Sequence, residues 1–390
     1  MSTLDLLQDE ASRLEAFPVC RKVIFLAHAG VTALPRAVAD AMVHATREAS
    51  EAPPDFPGVF RHIQQTRAVA ARFLGAHPEE IALLGPTSLG LSLVANGIPW
   101  QPGDEVICHG SDYPANVYPW LGLRERGVTV RTLEPERPGE ITPELIEAAL
   151  TPRTRLVALA SCHFVSGYRI DVDAIGRLLH ARGVLFCLDA IQTLGAFPLN
   201  VEHVDFLSAD AHKWMLGPCA IGIVYVKRAH FGLLRPTLLG AENVKAPHYI
   251  AQNEIRFPET AARYEPGALN TVGIYGMRAA LELLAECGIE AVAARILRLR
   301  AHLVEGLRPL GFELYGPAEG PNASGITSFT HPHASMAGLF RQLESAGIIA
   351  SLRHNRAGQE LLRLSPHFYN TEAELDRALE VLRAGVSEAV

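Results

Sequence analysis

Residues 184–218, VLFCLDAIQTLGAFPLNVEHVDFLSADAHKWMLGP, contain two apolar runs that each lead to charged side chains. The first run ends at Asp189, and the second leads to His212 and Lys213 in a loop that contains Gly and Pro. A carboxylate or an ammonium group at the end of a buried strand costs free energy unless it has a partner or a chemical role. The stretch predicts two strands of an α/β sheet, with a ligand beyond their carboxyl ends.

The chain on both sides of this stretch alternates short apolar runs with helical patterns. This alternation predicts a mostly parallel sheet with crossover helices. Near residue 255 the pattern changes to that of an α+β unit, and Thr371 with Glu374 forms a capping box before the last helix. We expect an N-terminal helical segment over 1–20, a large α/β domain over 21–262 and a small C-terminal α+β domain over 263–390.

The composition excludes several classes of protein. Of 390 residues, 48% are hydrophobic and 20% are charged, so a large core is expected and wholesale disorder is not. The net charge of −7 and the absence of a basic run argue against nucleic-acid and membrane partners. The six cysteines form no CxxC pair, which is typical of buried thiols in a reducing compartment and predicts no metal site. We find no signal layout and no membrane-spanning run, and expect a cytoplasmic protein.

Asp189 and Lys213 have two physical interpretations. They can form a structural buried ion pair, or they can form a pyridoxal phosphate site. In such a site the lysine is tuned to a neutral nucleophile and the carboxylate keeps the pyridine nitrogen protonated.

The order of the motifs resembles that of the class V aminotransferase family. These are fold-type I pyridoxal phosphate enzymes that include cysteine desulfurases, isopenicillin-N-epimerase-like proteins and kynureninase. The resemblance extends from FLAHAGVTALP (25–35) to LRLSPHFYNTEAELD (362–376), and its core motifs are D-x-x-Q at 189–192 and H-K-W at 212–214. It implies a large domain built on a mostly parallel sheet of the seven-stranded type and a smaller C-terminal α+β domain.

The resemblance also implies roles for the core motifs. Lys213 matches the lysine that forms the Schiff base with pyridoxal 5′-phosphate and is displaced when an amino acid forms the external aldimine. Asp189 matches the partner of the pyridine nitrogen, Gln192 the hydrogen-bond partner of the phenolic oxygen, and His212 a histidine that reaches the phosphate. Asp210 departs from the family, which often has Ser or Thr there; because a carboxylate repels phosphate, we expect Asp210 to orient His212.

Further cofactor contacts follow from the same resemblance. Thr87 and Ser88 match a phosphate-binding turn at a helix start, although such a pair alone is usually an ordinary helix cap. Tyr113 matches the ring stacked on the cofactor, with a packed surface tyrosine as the alternative, and Asn116 is a weaker candidate. His163 lies in a loop that approaches the phenolic oxygen in relatives, with a core histidine as the alternative.

The segment GALNTVG at 267–273 implies a homodimer. Asn270 and Thr271 match a segment that relatives place near the neighbouring subunit's phosphate. Many relatives have Thr where this chain has Ala268, so we expect the contact to come from Asn270 or from the backbone.

Arg363, inside an apolar run, matches the arginine that clamps the α-carboxylate of an amino-acid substrate. An arginine presents two parallel N–H donors to a carboxylate, which a lysine does not reproduce. Other candidates for the substrate pocket are His28, Ala29 and Gly30, together with Arg353, His354 and Arg356, which are equally compatible with solvent exposure.

The sequence determines the reaction class less closely than it determines the fold and the cofactor. Desulfurases need a nucleophilic cysteine shortly before the carboxylate-binding arginine, and residues 350–362 contain none. We therefore expect aminotransfer, with Cβ or C–S lysis or epimerisation as alternatives. A protein that binds pyridoxal phosphate without turnover is an alternative of another class, disfavoured because the lysine, the aspartate and the arginine are all present.

Overall fold

The computed structural model describes residues 9–389. The helices in this range are α1 Glu10–Ala16, α2 Arg36–Glu51, α3 Phe56–Leu74, α4 Thr87–Gly97, α5 Tyr118–Leu121, α6 Pro143–Ala149, α7 Val172–Ala181, α8 Thr271–Cys287, α9 Ile289–Leu307, α10 Met336–Ser345 and α11 Glu372–Ala389. The strands are β1 Ile24–Phe25, β2 Ile81–Leu83, β3 Glu105–His109, β4 Thr129–Leu133, β5 Thr154–Ala160, β6 Leu185–Asp189, β7 Phe206–Asp210, β8 Gly222–Val226, β9 Glu313–Leu314, β10 Thr327–Thr330, β11 Ile348–Ile349, β12 Ser351–His354 and β13 Glu360–Leu364.

The largest sheet has seven strands in the order β2-β8-β7-β6-β5-β3-β4. Its strands are parallel except for β8, which pairs antiparallel with both β2 and β7. The buried strands read as continuous apolar runs because helices cover both faces, as is usual for parallel sheets. The predicted α/β fold with a mostly parallel seven-stranded sheet is confirmed.

Two layers of helices enclose this sheet. Apolar side chains of α3, α6, α7 and α8 form the core on one face, and those of α4 and α5 form the core on the other. The long helix α3 starts at Asp55, whose side chain accepts a hydrogen bond from Gly58 N, and ends at Gly75 in the left-handed conformation with φ of 64°. These end signals lie in the sequence itself.

A second sheet lies in the C-terminal part of the chain. Its order is β12-β13-β10-β9, it is antiparallel throughout, and α9, α10 and α11 pack on it. The predicted capping box is present: Glu374 N donates to Thr371 Oγ1 at 3.2 Å, and Thr371 N donates to the Glu374 carboxylate at 3.1 Å.

Several contacts join the two parts of the chain. Near the N-terminus β1 pairs in parallel with β11, and Ile274 and Met277 of α8 pack in the core of the seven-stranded sheet. Arg13 of α1 contacts Glu374 at 2.9 Å. Residues 1–8 of the predicted N-terminal helical segment lie outside the described residues. The domain bounds at 20 and 262 stay a prediction.

Candidate active site

The edge of the large sheet where parallel strands end carries the charged side chains singled out above. Asp189 is the last residue of β6, and β7 ends at Asp210, three residues before Lys213. The two strands are parallel neighbours with Asp189 opposite Ser208, so their ends lie at one edge. This arrangement is the usual position of a ligand in an α/β sheet.

A cavity of about 300 Å³ opens at this edge. Most of the predicted site residues line it: Ala29, Gly30, Thr87, Ser88, Tyr113, Asp189, Gln192, His212, Lys213, Arg353 and Arg363. They come from the N-terminal segment, the large sheet and the small sheet. The fold therefore brings together residues that are more than 300 positions apart in the chain.

Lys213 is the central cation of the cavity. It is 8% exposed, and its Nζ lies 5.4 Å from the centroid of the Tyr113 ring. Burial lowers the pKa of Lys213, attraction to Asp189 opposes this shift, and the charges of Arg363 and Arg353 add to it. The amine is thereby shifted toward its neutral, nucleophilic form.

Asp189 is the only acidic residue that the described part of the chain contributes to the cavity lining. It is 3% exposed, and its Oδ1 accepts a hydrogen bond from Ile191 N at 3.0 Å. Burial raises the pKa of Asp189, and the nearby Asp112 raises it further. A carboxylate with so few donors around it is suited to a cationic or protonated ligand atom.

Gln192 is oriented by Trp214. The indole Nε1 donates to Gln192 Oε1 at 2.9 Å, and Gln192 Nε2 donates to Ala29 O at 3.1 Å. Because an indole N–H can only donate, it fixes which end of the amide is the oxygen. One N–H of the Gln192 amide is then left for a ligand that accepts a hydrogen bond.

The opposite end of the cavity is suited to an anion. Thr87 and Ser88 begin α4, and no side chain caps this helix at Pro86. The first N–H groups of a helix attract negative charge. Asp210 Oδ2 accepts from His212 Nδ1 at 2.9 Å, which confirms that Asp210 contacts His212.

Arg363 has an unusual environment. It is 1% exposed, and its Nη1 donates to Phe164 O at 2.6 Å. Its Nε and Nη2 are buried without a hydrogen-bond partner among the described residues. Burial, followed by repulsion from Arg353, lowers the pKa of Arg363 to about 9. A buried cation with two free donors on one edge is a ready partner for a carboxylate.

Two histidines that sequence placed at the site do not line this cavity. His28 is fully buried, with Nδ1 2.9 Å from Ser365 O and Nε2 2.7 Å from the Tyr369 hydroxyl. His163 is held by Ser166 Oγ and Ser111 O, both at 3.0 Å. Both rings are therefore satisfied in the core, and burial lowers the pKa of each. Phe164, one residue after His163, lines the cavity instead.

Other candidates also lie away from the cavity lining. Asn116 is buried between Asp112 and Trp120, and Asn270 is an exposed residue whose side chain caps α8 next to Thr271. The remaining two, His354 and Arg356, are exposed, and Arg356 pairs with Glu134 at 2.8 Å.

Sequence reasoning missed three residues that shape the site. Phe164 lies next to the histidine that was chosen, and its apolar side chain gives no chemical signal. Trp214 is part of the H-K-W motif, but its hydrogen bond to Gln192 becomes visible only in three dimensions. Asp112 is buried and acts on Asp189 through charge, and its only signal was its place next to Tyr113.

The described residues 9–389 also bear on metal binding and on membrane insertion. They contain no group of three or more His, Cys, Asp or Glu that could hold a metal ion. Among the same residues, none of the helices combines the length and the apolar character needed to span a bilayer. A larger groove of about 750 Å³ lies beside the starts of α6 and α7, away from Lys213, and contains none of the predicted site residues.

The sequence profile described as "Aminotransferase class-V" matches residues 24–378. The chain belongs to the class V aminotransferase family. A probable cysteine desulfurase of Methanothermobacter thermautotrophicus is 30% identical to this member, with 94% of this chain and 95% of the relative covered. An uncharacterized aminotransferase of Bacillus subtilis is 27% identical, with 80% and 81% covered.

Solved structures of similar proteins share the fold of this class V member. The apo structure of a cysteine desulfurase from Thermococcus onnurineus NA1 has a TM-score of 0.90 at 23% identity and covers 97% of this chain and 98% of its own. A cystine C-S lyase in complex with cysteine persulfide has a TM-score of 0.85 at 22% identity and covers 94% and 99%.

Membership of this family confirms pyridoxal 5′-phosphate as the cofactor. The cavity fits that group on its own evidence. It has a buried lysine, a buried carboxylate with few donors, and a helix start suited to phosphate. The chain is therefore a pyridoxal phosphate-dependent class V enzyme.

The lowered pKa of Lys213 predicts how the apoprotein takes up the cofactor. The amine must be neutral to attack the aldehyde, so below its pKa the rate falls about tenfold for each unit of pH. We expect the rate, followed by visible absorbance, to level off well below the value of about 10.4 typical of an exposed lysine. Acetyl-lysine amide mixed with pyridoxal phosphate is the control, and levelling at the same pH in both reactions would contradict the prediction.

Proposed function

We propose that the chain is an aminotransferase that acts on an α-amino acid whose carboxylate is bound by Arg363. The observation that carries this proposal is the buried Arg363 guanidinium with two unpartnered nitrogens in the same cavity as Lys213. An α-carboxylate supplies the two acceptor oxygens that this edge lacks.

In this proposal each part of the cofactor is bound by a different cavity residue. Lys213 holds its aldehyde carbon, Asp189 its ring nitrogen, Gln192 its phenolic oxygen, and Thr87 and Ser88 its phosphate. When bound, pyridoxal phosphate supplies an electron sink for the bond that breaks at Cα. Two further residues flank this group: Tyr113 covers the face of the ring, and His212, oriented by Asp210, completes the phosphate end.

Lys213 and Arg363 are the two residues that act on the substrate itself. Arg363 fixes the carboxylate, so that the Cα–H bond is presented to the lysine in one orientation. The freed Nζ of Lys213 takes the Cα proton as a general base, for which a lowered pKa is suited. Phe164 and Tyr113, whose ring centroids are 5.3 Å apart, keep the side of the cavity apolar.

The distribution of thiols favours aminotransfer over the persulfide chemistry of desulfurases. None of the cavity-lining residues is a cysteine, although all six cysteines lie within the described part of the chain. Cys108, Cys162 and Cys187 are buried, and burial raises the pKa of each thiol. Thiols in such places are poor nucleophiles.

A C–S lyase is the second candidate. The names of the curated relatives favour it, since several are cysteine desulfurases, and one structural neighbour is a cystine C-S lyase. A lyase needs the same carboxylate clamp and the same base, but no thiol on the protein. The two candidates differ in the step after removal of the Cα proton. A lyase expels a group from the substrate side chain, whereas an aminotransferase leaves the amino group on the cofactor and releases a keto acid.

The two candidates are separated by their products. We expect the purified holoenzyme, mixed with single amino acids, to release one equivalent of keto acid while the cofactor is converted to pyridoxamine phosphate. Pyruvate with ammonia or a sulfur product, and an unchanged cofactor over many turnovers, would assign the lyase reaction. Exchange of the Cα proton with solvent deuterium and no net product would assign an epimerase.

Replacement of Arg363 by lysine tests the carboxylate clamp. We expect Arg363→Lys to lower kcat/KM by about 10- to 100-fold, because hydrogen bonds to a charged group contribute about 1.5–3 kcal/mol and lysine lacks the planar fork. Steady-state kinetics is the measurement, and the visible absorption band checks that the cofactor is still bound. Arg356→Lys, an exposed arginine outside the cavity, is the matched control. If Arg363→Lys and the wild type had equal kcat/KM, the carboxylate would have to be bound by another residue.

We also propose that the chain acts as a homodimer, with Asn270 and Thr271 near the cofactor of the neighbouring subunit. The segment 238–255, which precedes α8 in the sequence, exposes several large apolar side chains: Leu238, Leu239, Tyr249, Ile250 and Ile255. Exposed apolar surface of this kind is typical of protein interfaces. Light scattering of the holoenzyme at micromolar concentration should give twice the 42.3 kDa of the chain. A fully loaded monomer would contradict the proposal.

A further inference from the structure

A second arginine, Arg353, points to the kind of amino acid that the cavity accepts. It lines the same cavity as Arg363 and Lys213. Its Nε is buried without a hydrogen-bond partner, and the described residues offer its guanidinium neither a hydrogen bond nor an ion pair. Arg353 as a whole is half-buried, and a guanidinium that faces a cavity without a carboxylate partner among the described residues is suited to bind an anionic group of a ligand.

The register of the small sheet places both arginines on one face. β12 and β13 are antiparallel, with Ser351 opposite Arg363 and Arg353 opposite Leu361. Side chains alternate along a strand, so Arg353 and Arg363 are diagonal neighbours on the same side. The Nη2 atoms of both lie within 4 Å of one point, the position that a Cβ on Gly30 would take, at 3.7 Å from Arg353 and 3.8 Å from Arg363.

One carboxylate does not use the donors of both arginines. Arg363 already offers Nε and Nη2 on one edge, and these two parallel donors saturate an α-carboxylate. The donors of Arg353 are then left over, beside another cation. Among the described residues that line the cavity, Asp189 is the only acidic one, and it is engaged with the cofactor in the function proposed above.

We propose that Arg353 binds a second carboxylate on the side chain of the substrate, so that the preferred substrates are dicarboxylic amino acids. This inference rests on the proposed function, in which Arg363 holds the α-carboxylate. A second carboxylate removes the repulsion between the two guanidinium groups and supplies acceptors for the free donors of Arg353. Arg353 is in this way a specificity-determining residue.

The test compares acids with their amides, which have nearly the same shape. Initial rates with aspartate and asparagine, and with glutamate and glutamine, give two ratios of kcat/KM. We expect the wild-type holoenzyme to favour one of the acids over its amide by about 10- to 100-fold, the range for a charge-assisted pair. Which acid is preferred then gives the spacing between the two carboxylates.

Variants of Arg353 assign this preference to one side chain. Arg353→Gln should abolish the acid-to-amide preference by lowering kcat/KM with the acid much more than with the amide. Arg353→Lys should restore part of the preference because the charge returns. Arg356→Gln, an arginine of the same hairpin that pairs with Glu134 outside the cavity, is the control and should keep the wild-type ratio.

Two results would overturn the inference. One is a wild-type ratio near one, with neutral amino acids turned over well, which leaves the proposed function intact. The other is an equal loss of rate with acid and amide in Arg353→Gln, which would make Arg353 a second contact of the α-carboxylate. If none of the four amino acids forms product or changes the cofactor spectrum, this inference fails, and the reaction with other single amino acids then decides the proposed function separately.

Discussion

The site depends on one constraint, which is that it contains buried cationic side chains whose charge the protein itself does not fully neutralise. Lys213 and Arg363 are both less than a tenth exposed, yet within residues 9–389 Asp189 is the only acidic group that lines their cavity. Unpaired buried charges are destabilising, so the surrounding structure has to hold them in place. The strand ends of β6 and β7 and the register of β13 do this, because their backbones are fixed by neighbouring strands on both sides. The cavity is thus prepared for a ligand that brings the missing negative charge.

The two sheets are tied together by hydrogen bonds that surround this cavity. Arg363 on β13 donates to Phe164 O, 199 residues earlier in the chain, and Gln192 donates to Ala29 O near the N-terminus. His367 contacts Trp214 O at 3.0 Å, which links the last part of the chain to the loop that carries Lys213. The groups that we assign to the cofactor and those that we assign to the substrate therefore share one set of backbone anchors, and a shift of either sheet would alter both.

The family fold allows several reactions, and local side chains decide among them. In the function proposed above, Lys213, Asp189 and Arg363 serve the chemistry at Cα, while the thiols lie away from the cavity lining. The pair of arginines, as proposed, acts on binding rather than on bond cleavage. In these proposals, reaction type and substrate choice depend on different residues of one cavity.

The sequence by itself determined the fold class, the family and the cofactor, and it singled out most of the predicted residues that line the cavity, because each of these has a local signal. Apolar runs with fixed end signals define strands and helices, and Asp189, Gln192 and Lys213 occur at a spacing typical of the family. Only the tertiary structure showed that His163 is a core histidine and that Phe164 lines the cavity instead, because a shift of one residue in a loop reverses which side chain faces the cavity. The tertiary structure likewise placed Arg353 beside Arg363 on one face of the small sheet, and it placed Trp214 within hydrogen-bond distance of Gln192. Strand register and the packing of distant segments set such distances, and neither is encoded in the spacing of a motif.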